Sequence, residues 1–534
     1  MTIFHHTPSR YSVRHWPWAA CACLLALIGG WLLLTLDPSM AWGGDNAMYM
    51  MLARNLATGV PYDVTGYVQN AFSYLAPQTY PPVFPLLLAP VYALFGLNIV
   101  VFKLYMVAVY LAALALLAGL SRDMFRDRPM GTFYWLALIP LIGLSPRLSD
   151  WARLILSDAA FLGWCAASLW MCRRAYRQYD TGVTSAHWQS LLAGLLIALA
   201  IGTRIIGVTL IMSVVVFEAS CYRRITRVGL VAVAVALLAW LAQTLAVDYI
   251  SQAATGSVSA NAGQGYLYVF RQDLFNHLSE MPETALHNLY FYGRVLGQFW
   301  YGQTLDLSPL IRWALAASLA IALWGVVRQA RTRYTVLEVF CVVYFLAILP
   351  WHAYGTRYLV PVIPFYFLYL LLGLQSIAQM LHPRLAPTLL LLPVLAIAGA
   401  GYGASAWANA NFAHTIDSSA PNGAAANQVY EHIRRETPDN ALIVTRDPRM
   451  LALFTSRRAV TYADRATMYR LRNETRLIRY FDDIGATYML ASPFDPHRAA
   501  KWLAIHRPDR FVPLFEAQSF TLYQLLPTTA SGSR

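Results

Sequence analysis

Lysine is almost absent: Lys103 and Lys501 are the only two in 534 residues, and arginine carries the positive charge. Charge of either sign is scarce, with Asp, Glu, Lys and Arg making up 13% of residues against 58% hydrophobic ones. Soluble domains carry about a quarter charged residues, so this composition excludes a water-soluble enzyme and describes a chain with several membrane spans. Cysteine is sparse too. All six (Cys21, Cys23, Cys165, Cys172, Cys221 and Cys341) lie in apolar segments or at their ends, which offers neither a disulfide framework nor a thiolate metal site. A nucleic-acid footprint is also missing. Of the net charge of +13, +9 falls before residue 404, mostly as arginines in short connections between apolar runs, and it reads as membrane topology. No internal repeat or extended low-complexity tract is visible.

Apolar runs take the place of what is missing. Residues 16–36 are uninterrupted over the length a spanning helix needs, about 20 residues, and follow a segment with Arg10 and Arg14 but no acid. A signal peptide is the competing reading, since Ala41 and Gly43 are small residues near a possible cleavage point, but the run is too long for one. With Arg10 and Arg14 inside, the chain emerges on the outer side. Runs at 99–120, 131–144, 155–171, 188–203, 205–221, 228–246, 310–327, 336–351, 359–380 and 386–402 bring the count to about eleven spans, and every inner loop carries Arg. The stretch 83–97, broken by Pro85 and Pro90, is too short to cross and reads as interfacial or re-entrant, while 146–153 forms a brief outer turn.

The expected fold is therefore a mainly α, polytopic membrane protein with its N-terminus cytoplasmic and a small C-terminal α/β domain outside. Residues 1–404 form the membrane domain, with a first outer loop at 37–98 and a long outer loop at 248–308 that holds Gly263-Gln264-Gly265-Tyr266. Residues 405–427 read as a linker and 428–534 as the α/β domain. Within that domain the periodicity predicts helices at 428–435, 472–484 and 499–506. It predicts strands at 441–445 and 487–491 and a closing pair at 511–515 and 520–525.

The first outer loop is the part of the chain most suited to chemistry. It reads Gly43-Gly44-Asp45-Asn46-Ala47-Met48-Tyr49, then Arg54, then Gly59-Val60-Pro61-Tyr62, and closes with Tyr80-Pro81-Pro82. A carboxylate set directly after a span sits at the lipid–water boundary, within reach of a lipid head group and of an aqueous acceptor. Asp45 is the candidate catalytic residue. As a structural alternative it caps the helix beginning near Asn46.

The pattern Gly44-Asp45-x-x-x-Tyr49, Ala53-Arg54-Asn55-Leu56-Ala57-x-Gly59 and Tyr80-Pro81-Pro82 resembles the GT-C superfamily of integral-membrane glycosyltransferases. Its nearest branch is the protein mannosyltransferase and aminoarabinose transferase group. The resemblance is specific over residues 16–220; beyond them it rests on span count, Arg357-Tyr358 and an outer C-terminal domain. It implies transfer of a sugar from a polyprenyl-phosphate carrier at the inner membrane, with Asp45 acting on the acceptor and Asp158 as a second acid in the next outer loop. The acceptor (protein, lipid or glycan) is left open. Relatives carry an acid and a lysine just before the Pro-Pro, whereas Thr79 and Tyr80 stand here, which removes one basic phosphate contact and the case for a metal at that spot.

Displacing a polyprenyl phosphate from a sugar C1 requires the acceptor to be deprotonated or aligned, and a cationic cradle for the leaving phosphate. One attack without an enzyme nucleophile inverts the anomeric centre, with Asp45 as general base. Arg204 and Arg357, at outer ends of spans, are the phosphate candidates because guanidinium is planar, bidentate and always charged; Lys103 is a further one. Equally, both arginines serve as interfacial anchors, and Asp158 caps its span or pairs with Arg153. Arg54 is a substrate-binding candidate whose structural alternative is pairing with a neighbouring acid, and Glu218 and Glu338 are expected to pair with inner-loop arginines. Tyr49, Tyr62, Tyr80, Tyr301 and Tyr358 are substrate-lining candidates within an otherwise interfacial aromatic belt. His277 and His287, with Glu280 and Glu283 between them, are too far apart for one tight helical metal site, so no metal or other cofactor is expected. A lipid-linked-sugar transporter or flippase is the alternative; it calls for charges near the bilayer midplane and related halves, neither of which is visible.

Overall fold

A computed structural model describes residues 16–69, 75–182, 186–255, 278–302, 309–351, 354–381, 386–410, 413–462, 474–495 and 499–527. The chain opens with α1 (Trp16–Leu34), an apolar helix of 19 residues. Then comes α2 (Asp45–Thr58), which starts after Gly43 and Gly44 and stops at Gly59, whose left-handed φ of 71° closes the C-terminus without a Cβ penalty. Next are α3 (Val83–Phe95), begun after Pro81-Pro82, and α4 (Ile99–Phe125), capped by Asn98 through the Val101 amide. The following elements are α5 (Gly131–Gly143), α6 (Pro146–Ala152), α7 (Asp158–Asp180), α8 (Ala186–Thr203), α9 (Val208–Phe217) and α10 (Arg227–Thr255). They are succeeded by α11 (Met281–Val295), α12 (Gln298–Tyr301), α13 (Pro309–Arg333), α14 (Val336–Ile348), α15 (Ile363–Leu381) and α16 (Ala386–Ala410).

Among the described residues seven helices are long and apolar enough to cross a membrane: α1, α4, the segment Ile205–Tyr222 around α9, α10, α13, α15 and α16. Helices α5, α7, α8 and α14 fall on the other four spans expected from the sequence. The protein is thus a polytopic, mainly α membrane protein. Helix α7 packs on α4 and α8, α8 on α10, and α13 on α15. The last pair touches backbone to backbone: a Cβ on Gly325 would lie 2.1 Å from the Tyr369 carbonyl, and one on Gly373 2.1 Å from that of Ile321. Small residues at such crossings replace the hydrophobic drive that lipid cannot supply. Residues 146–153, expected as a turn, instead contain the short helix α6 with Pro146 in its first turn.

The C-terminal part comprises α17 (Ala424–Glu436), α18 (Pro448–Thr455), α19 (Glu474–Asp483) and α20 (Ala499–His506) around one sheet. Its strands are β1 (Tyr67–Val68), β2 (Leu442–Thr445), β3 (Arg458–Val460), β4 (Tyr488–Ala491), β5 (Phe511–Ala517) and β6 (Phe520–Leu525), in the order β1-β3-β2-β4-β6-β5. The first four run parallel; β4, β6 and β5 pair antiparallel, with Ile443 opposite Tyr488 and Leu490 opposite Leu522. Side chains alternate in the usual two-residue period: Val444, Val460 and Met489 face a core with Leu477, Phe481 and Leu503, while Ile443, Ala459 and Leu490 face α17 and α18. That second face is continuous with the core of the membrane domain.

Two features were not expected from the sequence. The sheet recruits β1 from the first outer loop, and α18 with β3 fills the stretch after Thr445. Strands of two or three residues are too short to carry a period, and their pairing partners are hundreds of residues away. Residues 413–423, within the expected linker, lie against the start of the first outer loop. The Asn422 side chain accepts from the Met40 amide at 2.7 Å and donates to the Pro38 carbonyl at 3.0 Å, and Trp42 Nε1 donates to the Ser419 carbonyl at 3.2 Å. The Gly263–Tyr266 segment and His277 fall outside the described residues.

Candidate active site

Four elements at one end of the bundle bring the expected charges together. Asp45 starts α2, Asp158 starts α7, Arg204 stands in extended conformation (φ −149°, ψ 128°) between α8 and the turn leading to α9, and Arg357 lies in the 3-10 turn Thr356–Leu359 before α15. Arg357 bridges the two acids: Nη1 donates to Asp45 Oδ2 at 2.8 Å and Nη2 to Asp158 Oδ2 at 3.2 Å. Arg204 Nη1 donates to the other oxygen of Asp158, which is fully buried. The Arg204 guanidinium lies 5.7 Å from the Tyr358 ring and 5.9 Å from that of Phe161, and Arg357 lies 5.9 Å from Trp151, so the cations sit among aromatic faces.

The remaining oxygen of Asp45 is engaged from the opposite side. Tyr80 donates its hydroxyl to Oδ1 at 2.6 Å, and Arg449 of α18 donates Nη1 to the same oxygen at 3.0 Å and to the Tyr80 hydroxyl at 2.7 Å. Arg449 was not among the sequence candidates, and the local sequence Arg446-Asp447-Pro448-Arg449 carries no signal for it. The directly paired groups are three guanidiniums and two carboxylates, and the carboxyl of Asp447 stands beside Arg449 as a third acid.

Burial pushes the Asp45 carboxyl upward, but the charges of Arg357 and Arg449 and the hydrogen bonds from Tyr80 and Arg357 outweigh it and leave the group below the usual carboxylate range. Asp45 is therefore ionised. The Tyr80 phenol is held well above its ordinary value, chiefly by burial, and remains a donor. Tyr49 shares a hydrogen bond of 3.0 Å with Ser157 and sets its ring edge-on to Tyr80 and Phe84, which ties α2 to the start of α7.

Other candidates have different surroundings. Tyr62 is fully buried and donates to the Tyr80 carbonyl at 2.8 Å, bracing Tyr80 from behind. Arg54 lies 3.4 Å from Asn55 Oδ1, a side-chain amide rather than the expected acid. Lys103 donates to the carbonyls of Asp37 and Ser39 at 2.5 and 2.6 Å, holding the start of the first outer loop. Tyr301, at the end of α12, packs on Gly401 of α16. Arg153 pairs with Asp150 at 2.9 Å rather than with Asp158. Among the described residues Glu218 and Glu338 meet hydroxyls: Glu218 accepts from Tyr176 and Thr226 at 2.7 Å each, and Glu338 from Tyr369 and Thr335 at 2.6 Å each. Both lie in the apolar interior, where a tyrosine or threonine hydroxyl satisfies a carboxylate without burying a second charge. No group of three or more His, Cys, Asp or Glu converges among the described residues.

No protein-family profile matches the chain, and no curated protein matches it in sequence. Solved structures do match. ArnT from Cupriavidus metallidurans bound to undecaprenyl phosphate aligns over 97% of this chain and 99% of its own at 14% identity, with a TM-score of 0.60. The oligosaccharyltransferase AglB from Archaeoglobus fulgidus, in complex with an inhibitory peptide and a dolichol-phosphate, aligns over 90% of this chain and 70% of its own at 14% identity and a TM-score of 0.61. The mycobacterial arabinofuranosyltransferase AftD aligns over 97% of this chain and 42% of its own, with 14% identity and a TM-score of 0.51. At such identities the likeness is one of fold. Over nearly its whole length the chain shares their overall fold, the GT-C fold.

Proposed function

We propose that the protein is an inverting glycosyltransferase that moves a hexose or pentose from a polyprenyl-phosphate carrier to an acceptor on the outer face of the inner membrane. The observation that carries this reading is the guanidinium of Arg357 held between Asp45 and Asp158, with its Nε a buried donor that has no partner among the described residues. A fork with a spare N–H suits a phosphate better than a closed ion-pair network does. The GT-C fold supports the same reading, since ArnT and AglB were solved with undecaprenyl phosphate and a dolichol-phosphate.

In this mechanism the acceptor hydroxyl or amine hydrogen-bonds to the exposed edge of Asp45 and gives up its proton to that carboxylate. Its lone pair forms the new bond to C1 as the bond from C1 to the carrier oxygen breaks, and the electron pair leaves with the phosphate. Arg357 and Arg204 hold the developing charge, with Asp158 fixing both guanidiniums. The cation between the two carboxylates is a guanidinium, so the mechanism calls for no divalent ion there. The C-terminal domain lies on the outer side, and a topology reporter fused after residue 410 reads as external; a cytoplasmic signal overturns the orientation.

The test is mass spectrometry of surface glycans, lipids and proteins from cells with and without the gene. Loss of one hexose or pentose increment, restored by the wild-type chain, supports the assignment; unchanged spectra reject it.

A further inference from the structure

The C-terminal part is fastened to the first outer loop at several independent points. Strand β1 pairs with β3, the Ala459 amide donating to the Gly66 carbonyl at 3.0 Å, and Trp42 stacks on Phe494 with ring centroids 5.4 Å apart. Asp447 accepts from the Gly43 amide at 3.4 Å, one residue before Pro448 opens α18, and α18 packs on α2. These contacts deliver one side chain to the site. Arg449 is largely buried, and its hydrogen bonds reach that loop, among them those to Asp45 Oδ1 at 3.0 Å, the Tyr80 hydroxyl at 2.7 Å and the Leu75 carbonyl at 3.5 Å. Its guanidinium also lies 5.1 Å from the Tyr67 ring and 5.6 Å from that of Tyr80.

The loop is shaped to admit it. Gly44 has a φ of +72°, and a Cβ there would stand 3.0 Å from Arg449 Cδ and 3.4 Å from Asp447 Oδ1. Any other residue at this position is strained and crowds the arginine. Asp45 is thus held by two opposed forks, with Oδ2 facing Arg357 and the membrane helices and Oδ1 facing Arg449 and the C-terminal part.

From this geometry we propose that Arg449 is a positioning residue of the active site, acting through Asp45, and that the membrane domain is catalytically complete only with the C-terminal part seated on the first outer loop. The inference rests on the glycosyltransferase reading above. Arg449 fixes the rotamer of the catalytic carboxylate and keeps it charged. The groups facing Asp45 are Arg357 from before α15, with Asp158 of α7 and Arg204 behind it, Tyr49 of α2, Tyr80 of the loop, and Arg449 and Asp447 of the C-terminal part. Removing Arg449 leaves Asp45 one cation fewer, so its pKa rises and the acid limb of the rate profile moves to higher pH.

The test uses the full-length chain. Purified protein in nanodiscs is titrated with undecaprenyl phosphate, and sugar transfer to the endogenous acceptor is followed in membranes across pH for wild type, Arg449→Gln, Arg449→Lys and Arg357→Gln. Arg449→Gln lowers transfer on the order of 10- to 100-fold, the loss of one charge-assisted hydrogen bond. It also moves the acid limb upward and leaves undecaprenyl phosphate binding unchanged. Arg449→Lys, which keeps the charge and is the variant to use if the glutamine form does not fold, restores the limb and recovers part of the rate. A transfer rate and limb equal to wild type in Arg449→Gln overturn the proposal. So does a binding loss as large as that of Arg357→Gln, because Arg449 would then be a carrier ligand. If wild type itself fails to bind undecaprenyl phosphate, the glycosyltransferase reading falls, an outcome distinct from either.

Discussion

Arg357 donates to Asp45 at 2.8 Å across 312 residues of sequence, and the pair closes the gap between the first outer loop and the turn before α15. Side chains of both residues are 23% exposed, enough for a ligand to reach the pair without dissolving it. In the proposed mechanism this pair sets the base and the phosphate-binding group within one hydrogen bond of each other, the spacing a single displacement at C1 requires.

Asp45→Asn keeps the shape of the side chain and removes its charge. Sugar transfer is expected to fall by about 10²- to 10⁴-fold, the usual contribution of a positioned base, with expression and elution volume unchanged. Full transfer by this variant in complemented cells removes the base assignment.

Arg357→Ala takes away the fork proposed to hold the carrier phosphate. The expected result is a higher apparent KM for the lipid-linked donor with the acceptor dependence little altered, measured by varying each substrate in membranes. Arg357→Lys restores little, because a single ammonium cannot reproduce two parallel N–H bonds. Unchanged dependence on donor concentration counts against the phosphate role.

Asp158 is fully buried between Arg204 and Arg357. Its replacement by Asn leaves two guanidiniums facing each other and costs about 3 kcal/mol, the typical penalty for breaking a buried pair. Thermal unfolding in detergent reads this as a lowered midpoint. The second substitution Arg204→Gln in the same background recovers part of the loss, whereas simple additivity shows that the two groups are not coupled.

The pH dependence follows from the sign of the Asp45 shift. With its carboxyl held below the usual range, the charged form persists as pH falls past the ordinary carboxylate value of about 3.9, and transfer is lost only on passing the lower folded value. Stability contributed by this group has the same sense: it is present above the unfolded pKa and lost as pH falls through the folded one. A rate profile with its acid limb above the ordinary carboxylate range refutes the assignment of Asp45 as the charged base.

Because the cation between Asp45 and Asp158 is Arg357, exhaustive chelation is expected to leave transfer within about twofold of the untreated rate, a change too small to reflect loss of a Lewis acid. A chelator-sensitive rate restored by one divalent ion would mean that the guanidinium gives way to a metal during turnover.

Much of the fold was legible because spans are local. A run such as 99–120 declares itself through its own composition, and α4 is found there as Ile99–Phe125. In the C-terminal part, α20 and β6 matched their expected bounds, and β4 began one residue later than expected, since each has enough residues to carry a period. β1 and β3 have none to spare, and their pairing joins residue 67 to residue 459. Among the candidate residues, Asp45 and Tyr80 stand in a recognisable pattern, whereas Lys103, a further phosphate candidate, donates to the backbone of the loop.

By itself the amino-acid sequence determined that this is a multi-span membrane protein and that an aspartate follows the first span, because hydrophobic length and the order of residues along the chain suffice for both. Only the tertiary structure decided which arginines meet that aspartate. Arg204, Arg357 and Arg449 come from three segments far apart in sequence, and their convergence depends on how helices pack and on the C-terminal part closing over the first outer loop. Charge pairing across such distances is a property of the assembled core, where burial makes each carboxylate need a partner, and no local pattern encodes it.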